Sequence, residues 1–152
     1  MLISVQQQDF DATQVARELC QGRRDVGAIV TFSGLVRDIS SEQNLQAMHL
    51  EHYPGMTEKA LTQIAEQAMQ QWNIGDLAII HRVGRLQPTE NIVLVVVISE
   101  HRREAFEACD FLMDYLKTRA PFWKKEITDQ GESWVEAKQS DVEDAGRWAE
   151  QR

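Results

Sequence analysis

Apolar residues recur along this chain of 152 residues with two periods, one of two residues and one of three to four, which predict strands and helices respectively. Six segments rich in β-branched or aromatic residues are predicted as strands, namely 26–32, 45–53, 77–82, 92–99, 122–128 and 133–137. Three segments with helical spacing are predicted as helices, namely 11–20, 57–75 and 99–118. We expect the first two strands to pair with each other in an antiparallel ladder.

The same pattern indicates how these elements pack. Strand 92–99 is apolar on both faces, which is typical of the centre of a covered sheet. The helix after it is expected to bury one stripe, made up of Phe106, Cys109, Met113 and Leu116. Thr57 is a candidate N-cap for the second helix. Because the strands come in adjacent pairs rather than in regular β-α-β units, we predict an α+β fold with a mostly antiparallel sheet.

Composition and charge limit the classes of function. With 43% hydrophobic residues, a single domain over residues 1–152 can bury a core of its own. The formal charge of −8 disfavours broad contact with nucleic acid or anionic membranes. The two cysteines have no metal-ligand spacing, the N-terminal residues do not resemble a signal peptide, and no apolar run reaches ~18 residues. We therefore expect a cytoplasmic protein that contacts neither nucleic acid nor membrane.

The first turn of the third helix carries an unusual group of cations, His101, Arg102 and Arg103. The positive end of a helix dipole disfavours cations there, so an anionic ligand such as a phosphate would compensate them. The alternative is a solvated turn neutralised by Glu100 and Glu104. We favour the anion site.

A second basic cluster occupies residues 117–126, where Lys117, Arg119, Lys124 and Lys125 surround a proline and two aromatic residues. The sequence pattern alone favours neither of two interpretations. The cations can simply complement the end of a helix and face solvent along a strand. Alternatively, lysines beside Phe122 and Trp123 are partly desolvated, which suits them to proton transfer.

Other residues offer weaker signals. Arg37 follows the first long strand, and a lone arginine in such a place is usually a surface residue. His49, His52 and His81 have no metal-ligand spacing, so no metal is expected. Motifs for dinucleotides, nucleoside triphosphates and serine hydrolysis do not occur, and we expect no cofactor.

Several stretches, taken in order, resemble the large, catalytic subunit of molybdopterin synthase. They are 30–37 (VTFSGLVR), 50–56 (LEHYPGM), 81–84 (HRVG), His101-Arg102 with Ala105-Phe106, and 117–126 (KTRAPFWKKE), within a match from about 27 to 138. The resemblance implies a two-layer α/β hammerhead fold. It also implies an enzyme of molybdenum cofactor biosynthesis that converts cyclic pyranopterin monophosphate to molybdopterin. The sulfur donor would be the thiocarboxylated Gly-Gly tail of a ubiquitin-like small subunit, one of which docks on each copy of a homodimer.

The resemblance also assigns roles to single residues. It implies that Lys117 and Lys124 are catalytic. It implies that the substrate is bound by Arg37, His101, Arg102, Phe32, Met113 and Glu126, with Lys138 at a position where some relatives use arginine. Two departures lie in a turn, where Arg85 and Thr89 stand in place of an expected acidic residue and glycine.

One consequence follows from helix geometry. His101 and Lys117 are 117 − 101 = 16 residues apart on one predicted helix, or about 24 Å at 1.5 Å per residue. One pterin-sized substrate cannot bridge that distance. If both residues belong to one pocket, they must come from different copies of the chain. The other functions considered are a non-catalytic adaptor for a ubiquitin-like protein and a phosphate-ester or nucleotide-binding enzyme.

Overall fold

A computed structural model of the chain describes residues 1–38, 45–135, 143–146 and 148. Its elements, in chain order, are β1 (Leu2–Gln6), α1 (Ala12–Cys20), β2 (Ala28–Leu35), β3 (Leu45–His52), α2 (Met56–Gln71), β4 (Asp76–Arg82), β5 (Gly84–Leu86), β6 (Asn91–Ser99), α3 (Arg102–Thr118), β7 (Phe122–Thr128) and β8 (Gly131–Val135). Helices and strands are interspersed without regular β-α-β units. The predicted α+β class is confirmed.

The described strands form two sheets of four strands each. The first sheet has the order β1-β4-β6-β2, and the second has the order β5-β3-β7-β8. Only β1 and β4 run parallel, and every other pair of neighbours is antiparallel. The mostly antiparallel character is therefore confirmed, although it is distributed over two sheets.

Strand β6 lies inside the first sheet, as its unbroken apolar run predicts. Eight of its nine residues, Ile92 to Ser99, are buried. Its side chains alternate between two hydrophobic clusters, one against α2 and α3 and the other against α1. The larger cluster also contains Leu50 and Leu86 from the second sheet, so the same core joins the two sheets.

The predicted pairing of the first two long strands is wrong. Strand β2 pairs with β6 over eight residues, from Ala28 opposite Ser99 to Leu35 opposite Asn91. Strand β3 instead lies between β5 and β7 in the other sheet. Because β6 is apolar on both faces, it is best stabilised by a strand on each edge, and β2 supplies the second one. Neither β1 nor β5 was predicted, since segments of five and three residues are too short for a clear period.

Two predictions about helices are also wrong. Helix α2 begins at Met56 with Gly55 as N-cap, so Thr57 lies inside the first turn. Phe106 is 60% exposed rather than buried. The buried stripe of α3 consists of Ala105, Ala108, Cys109, Phe111, Leu112, Met113 and Leu116. Phe106 follows Ala105 by one residue, or about 100° around the helix, which turns it away from this stripe.

Helix α3 determines where several of the predicted site residues lie. Only Glu100 and His101 separate it from β6, and it packs back over β6 and β2. The C-terminal end of α3 therefore lies over the start of β6 and the end of β2. None of the helices in the described part of the chain is long and apolar enough to cross a membrane.

Candidate active site

Strand β2 and the residues just after it carry two predicted site residues, Phe32 and Arg37. Phe32 lies on β2 and is 38% exposed. Its ring lies against Gly34, where a Cβ atom would come within 3.3 Å of the Phe32 ring and 2.9 Å of the Val93 side chain. Glycine is required at this position because the ring and Val93 occupy the space of a side chain.

A buried histidine, His81, lies on the same line of paired residues across the first sheet as Gly34 and Val93. Gly34 pairs with Val93, and Val93 pairs with His81 of β4. His81 is 5% exposed, and its ring stacks on Phe122 with centroids 3.8 Å apart and planes inclined by 17°. Nδ1 of His81 lies 2.8 Å from the carbonyl oxygen of Arg82. Because a carbonyl only accepts, Nδ1 carries the proton when the imidazole is neutral.

The charges of the two predicted catalytic lysines both act on this histidine. Burial is the main reason why the pKa of His81 falls to about 4, and the charges of Lys124, Lys117 and His52 lower it further, while the bond to the Arg82 carbonyl opposes them. Both lysines are thus within electrostatic range of one imidazole. Lys117 is exposed in the last turn of α3, and Lys124 is half-buried on β7.

The register of the second sheet determines which side chains accompany Lys124. Lys124 pairs with Leu50 of β3, and Glu126 pairs with Met48, so these residues share one face of the sheet. Lys125 belongs to the opposite face, where its ammonium group lies 4.6 Å from the centre of the Trp134 ring. Adjacent lysines on one strand therefore have different surroundings.

The arrangement at this end suits a reaction that develops negative charge. Lys117 and Lys124, from different elements, both lie within electrostatic range of His81, and Met113, one turn before Lys117, is buried. Fixed cations stabilise an anionic transition state without having to reorganise. Among the described residues, no group of three or more His, Cys, Asp or Glu side chains could hold a metal ion.

The remaining predicted anion ligands lie at the other end of α3. His101 is the N-cap, its side chain makes no capping hydrogen bond, and its Nε2 lies 3.7 Å from a carboxylate oxygen of Glu100. A surface cleft there is lined by His101, Arg102, Arg103, Phe106 and Glu107. All three of its cationic residues are exposed. The free backbone N–H groups of the helix N-terminus add to this basic surface.

The structure thus divides the predicted site residues into two groups. Met113 and Lys117 lie in the C-terminal half of α3, Lys124 and Glu126 lie on β7, which follows it, and Phe32 and Arg37 lie on and just after β2, against which α3 packs. His101 and Arg102 lie at the N-terminus of α3, which is a continuous helix from Arg102 to Thr118. The predicted separation of about 24 Å within one chain therefore holds. Lys138 lies outside the described residues.

His81 is the site residue that reasoning from single residues missed, because it was judged only as a metal ligand. Its position in β4 is the sequence signal that could have identified it. Leu77 and Ile79 precede it at a spacing of two and face the main core, so His81 takes a core-facing position. A histidine there needs a polar partner or a special role.

Comparisons with known proteins identify the family to which the chain belongs. A family model described as MoaE protein matches residues 5–119. The molybdopterin synthase catalytic subunit of Ralstonia nicotianae is 53% identical over 146 residues, which cover 96% of this chain and 83% of that protein. The catalytic subunit of Pseudomonas aeruginosa is also 53% identical, over 99% of this chain and 100% of that protein.

Solved structures agree with this relationship. The molybdopterin biosynthesis MoaE protein from Burkholderia ambifaria superposes with a TM-score of 0.83 at 49% identity, over 97% of each chain. A complex of subunits 1 and 2 of the molybdopterin-converting factor from Helicobacter pylori contains a chain with the same fold, with a TM-score of 0.72 at 20% identity over 91% of this chain and 92% of that one. The chain described here therefore belongs to the MoaE family of molybdopterin synthase catalytic subunits, enzymes that transfer sulfur in the formation of molybdopterin.

Proposed function

We propose that this protein transfers two sulfur atoms from the thiocarboxylated C-terminus of a ubiquitin-like small subunit to cyclic pyranopterin monophosphate, and that Lys117 and Lys124 carry the reaction. The observation behind this proposal is that Lys117 and Lys124, which belong to different elements, both lie within electrostatic range of His81. An adaptor would need no such convergence of cations at the end of a helix. The name of the relatives, catalytic subunit, also favours an enzyme.

Lys117 and Lys124 stabilise the negative charge that develops when a thiocarboxylate sulfur attacks the pterin and when the cyclic phosphate opens. A lysine can also donate a proton to the leaving oxygen as general acid. Phe32 and Met113 form apolar walls for the pterin. Glu126 lies two residues from Lys124 on the same face of the second sheet, and we assign it a supporting role in the pocket.

The phosphate of the substrate is bound by Arg37 together with His101 and Arg102 of a second copy of the chain. Guanidinium groups donate paired hydrogen bonds to phosphate oxygens, and the N-terminus of α3 attracts an anion. One chain cannot deliver both ends of an unbroken α3 to one substrate. The active site therefore lies at the interface of a homodimer, with each copy contributing one end of its helix to each of two sites.

The small subunit docks beside the lysines. Tyr53 and Met56 are 58% and 55% exposed, and they follow His52, which pairs with Phe122 at the start of β7. Large exposed apolar side chains of this kind are typical of a surface that a partner covers. The solved complex of the two subunits from Helicobacter pylori supports a partner of this class.

The direct test is reconstitution. Purified protein, thiocarboxylated small subunit and cyclic pyranopterin monophosphate are mixed, and the dithiolene product is measured. We expect product with the wild type, none with Lys117→Ala and severe loss with Lys124→Ala, while all variants unfold at similar temperatures because both lysines lie outside the core. The matched control is Lys125→Ala, on the opposite face of β7, which should retain activity.

Other results would support the rival functions. Docking of the small subunit without any product would indicate an adaptor. Nucleotide that copurifies with the protein, or hydrolysis of phosphate esters without a sulfur donor, would indicate a phosphodiesterase or nucleotide-binding enzyme. Full activity of Lys117→Ala would remove that residue from the mechanism.

A further inference from the structure

The segment between the two lysines is short and irregular, yet it determines how far apart they lie. Lys117 belongs to α3 and Lys124 to β7, and residues 119–121 connect these elements. Within the connection, the N–H of Ala120 donates to the carbonyl of Tyr115 at 3.1 Å, and that of Phe122 donates to the carbonyl of Ala120 at 2.8 Å. These local bonds shape the turn but do not attach it to the rest of the protein.

One attachment comes from Thr57, which is 0% exposed in the first turn of α2. Its hydroxyl accepts a hydrogen bond from the N–H of Tyr53 at 2.9 Å and donates one to the carbonyl of Pro121 at 3.0 Å. The side chain thus uses its donor and an acceptor at once, and links the β3–α2 junction to the connection between the lysines.

The other attachment is the stack of His81 on Phe122. Phe122 pairs through its backbone with His52 in the second sheet, while its ring lies on His81 of the first sheet. The bond of Nδ1 to the Arg82 carbonyl fixes the plane of the imidazole, and this plane orients the Phe122 ring. The stack therefore sets where β7 begins relative to the first sheet.

Thr57 and His81 are both buried, and apolar residues of similar size would fill their places at a lower desolvation cost. Their polar atoms hold the residues directly between Lys117 and Lys124. We propose that Thr57 and His81 are positioning residues for sulfur transfer, which fix residues 120–122 and thereby the spacing of the two lysines. This inference rests on the catalytic role proposed for the lysines.

The test separates positioning from stability. Thr57→Val keeps the shape but loses both hydrogen bonds, and His81→Ala loses the stack. We expect kcat to fall roughly ten- to hundred-fold in each, with KM nearly unchanged, because small misplacement of catalytic groups has effects of this size. Thr57→Ser, which keeps the hydroxyl, should restore most of kcat, whereas His81→Phe, which keeps a stacking ring but loses the bond to the Arg82 carbonyl, should restore it only in part.

Val15→Ala is the matched control, since Val15 is a buried residue of α1 on the other face of the first sheet. It should lower Tm without lowering kcat. If Thr57→Val and His81→Ala retain kcat, or if Val15→Ala loses as much kcat at an equal loss of Tm, the inference is overturned. If one of the two variants does not fold, the kcat of the other variant decides the test.

The same series distinguishes failure of the inference from failure of the proposed function. A wild type that makes product, and a Lys117→Ala variant that does not, support the catalytic role of the lysine. Unchanged kcat in Thr57→Val and His81→Ala would then overturn the positioning role alone. A wild type without product would instead overturn the proposed function.

Discussion

At the scale of single residues, Thr89 has a backbone conformation that threonine seldom adopts. Its φ is 79°, a positive value that it shares with no other non-glycine residue in the described part of the chain. Two hydrogen bonds tie this turn to the end of β2, from Thr89 N–H to the Val36 carbonyl and from Val36 N–H to the Glu90 carbonyl. These bonds hold the turn although a β-branched residue is strained there. The sequence match had indicated glycine at this position.

Thr89→Gly should therefore raise the free energy of unfolding, by about 1 kcal/mol, because relief of strain outweighs the added freedom of the unfolded chain. Denaturant titration measures the change. Thr31→Gly is the control, since Thr31 lies in the extended strand β2 and its replacement should destabilise the protein. Lower stability of Thr89→Gly would show that the turn carries no strain.

His81 gives a prediction about pH. Its pKa is lowered from 6.5 to about 4, first by burial and then by the charges of Lys124 and Lys117. The folded protein therefore binds fewer protons at His81 than the unfolded chain does between these two values. Stability from this group is present above pH 6.5 and is lost as the pH falls towards 4.

Between pH 7 and pH 5, the wild type should lose about 2 kcal/mol more stability than His81→Phe, which has no group to titrate at this position. Denaturant unfolding of both proteins at the two pH values measures the difference, and the carboxylates common to both cancel. Equal losses would mean that His81 is readily protonated in the folded protein.

At the scale of elements, the predictable features are those encoded locally. The apolar run of β6 and the helical spacing of α3 depend only on neighbouring residues, and both elements lie where the pattern predicts them. The predicted strands 122–128 and 133–137 correspond to the β7–β8 hairpin, although β8 begins two residues earlier, at Gly131. The partner of β2 was not predictable, because the choice between β3 and β6 depends on how distant segments pack.

The candidate site likewise combines features that the sequence predicts with features that only the folded chain shows. A cluster of cations in residues 117–126 was visible in the sequence, although only the resemblance favoured two of its lysines. His81 comes from β4, and its contact with Phe122 joins two sheets. A contact between residues 41 positions apart leaves no periodic trace in the sequence, so it appears only in the folded chain.

The ends of two elements provide a test of anion binding. Arg37 follows β2, and Arg102 begins α3 at the opposite end of the helix. Replacing either by alanine should weaken binding of cyclic pyranopterin monophosphate by roughly ten-fold or more, since a charged hydrogen bond is worth about 1.5–3 kcal/mol. The affinity for the small subunit should change less.

Calorimetry with each ligand measures both affinities. Arg17→Ala is the control, because Arg17 is exposed on α1, on the other face of the first sheet. If Arg37→Ala or Arg102→Ala lowers the affinity for the small subunit more than the affinity for the pterin substrate, that arginine belongs to the protein interface and not to the phosphate site.

At the scale of the whole molecule, the proposed active site requires two copies of the chain. The anion site at the N-terminus of α3 and the lysines near its C-terminus are separated by the length of an unbroken helix. In this proposal, each copy supplies two half-sites, one at each end of α3. In the proposed homodimer, a two-fold axis would bring the lysines of one copy beside the N-terminus of α3 of the other copy, and would form two such active sites.

Complementation between inactive variants tests this claim most directly. His101→Ala and Lys117→Ala are mixed under conditions in which native mass spectrometry detects mixed dimers, and product formation is measured. Random exchange at equal amounts should restore about a quarter of the wild-type activity, because half of the dimers are mixed and each of them has one intact site. Lys117→Ala mixed with Lys124→Ala should restore none, since both lysines belong to the same half-site. No recovery in the first mixture despite proven exchange, or full activity in a monomer, would contradict the shared site.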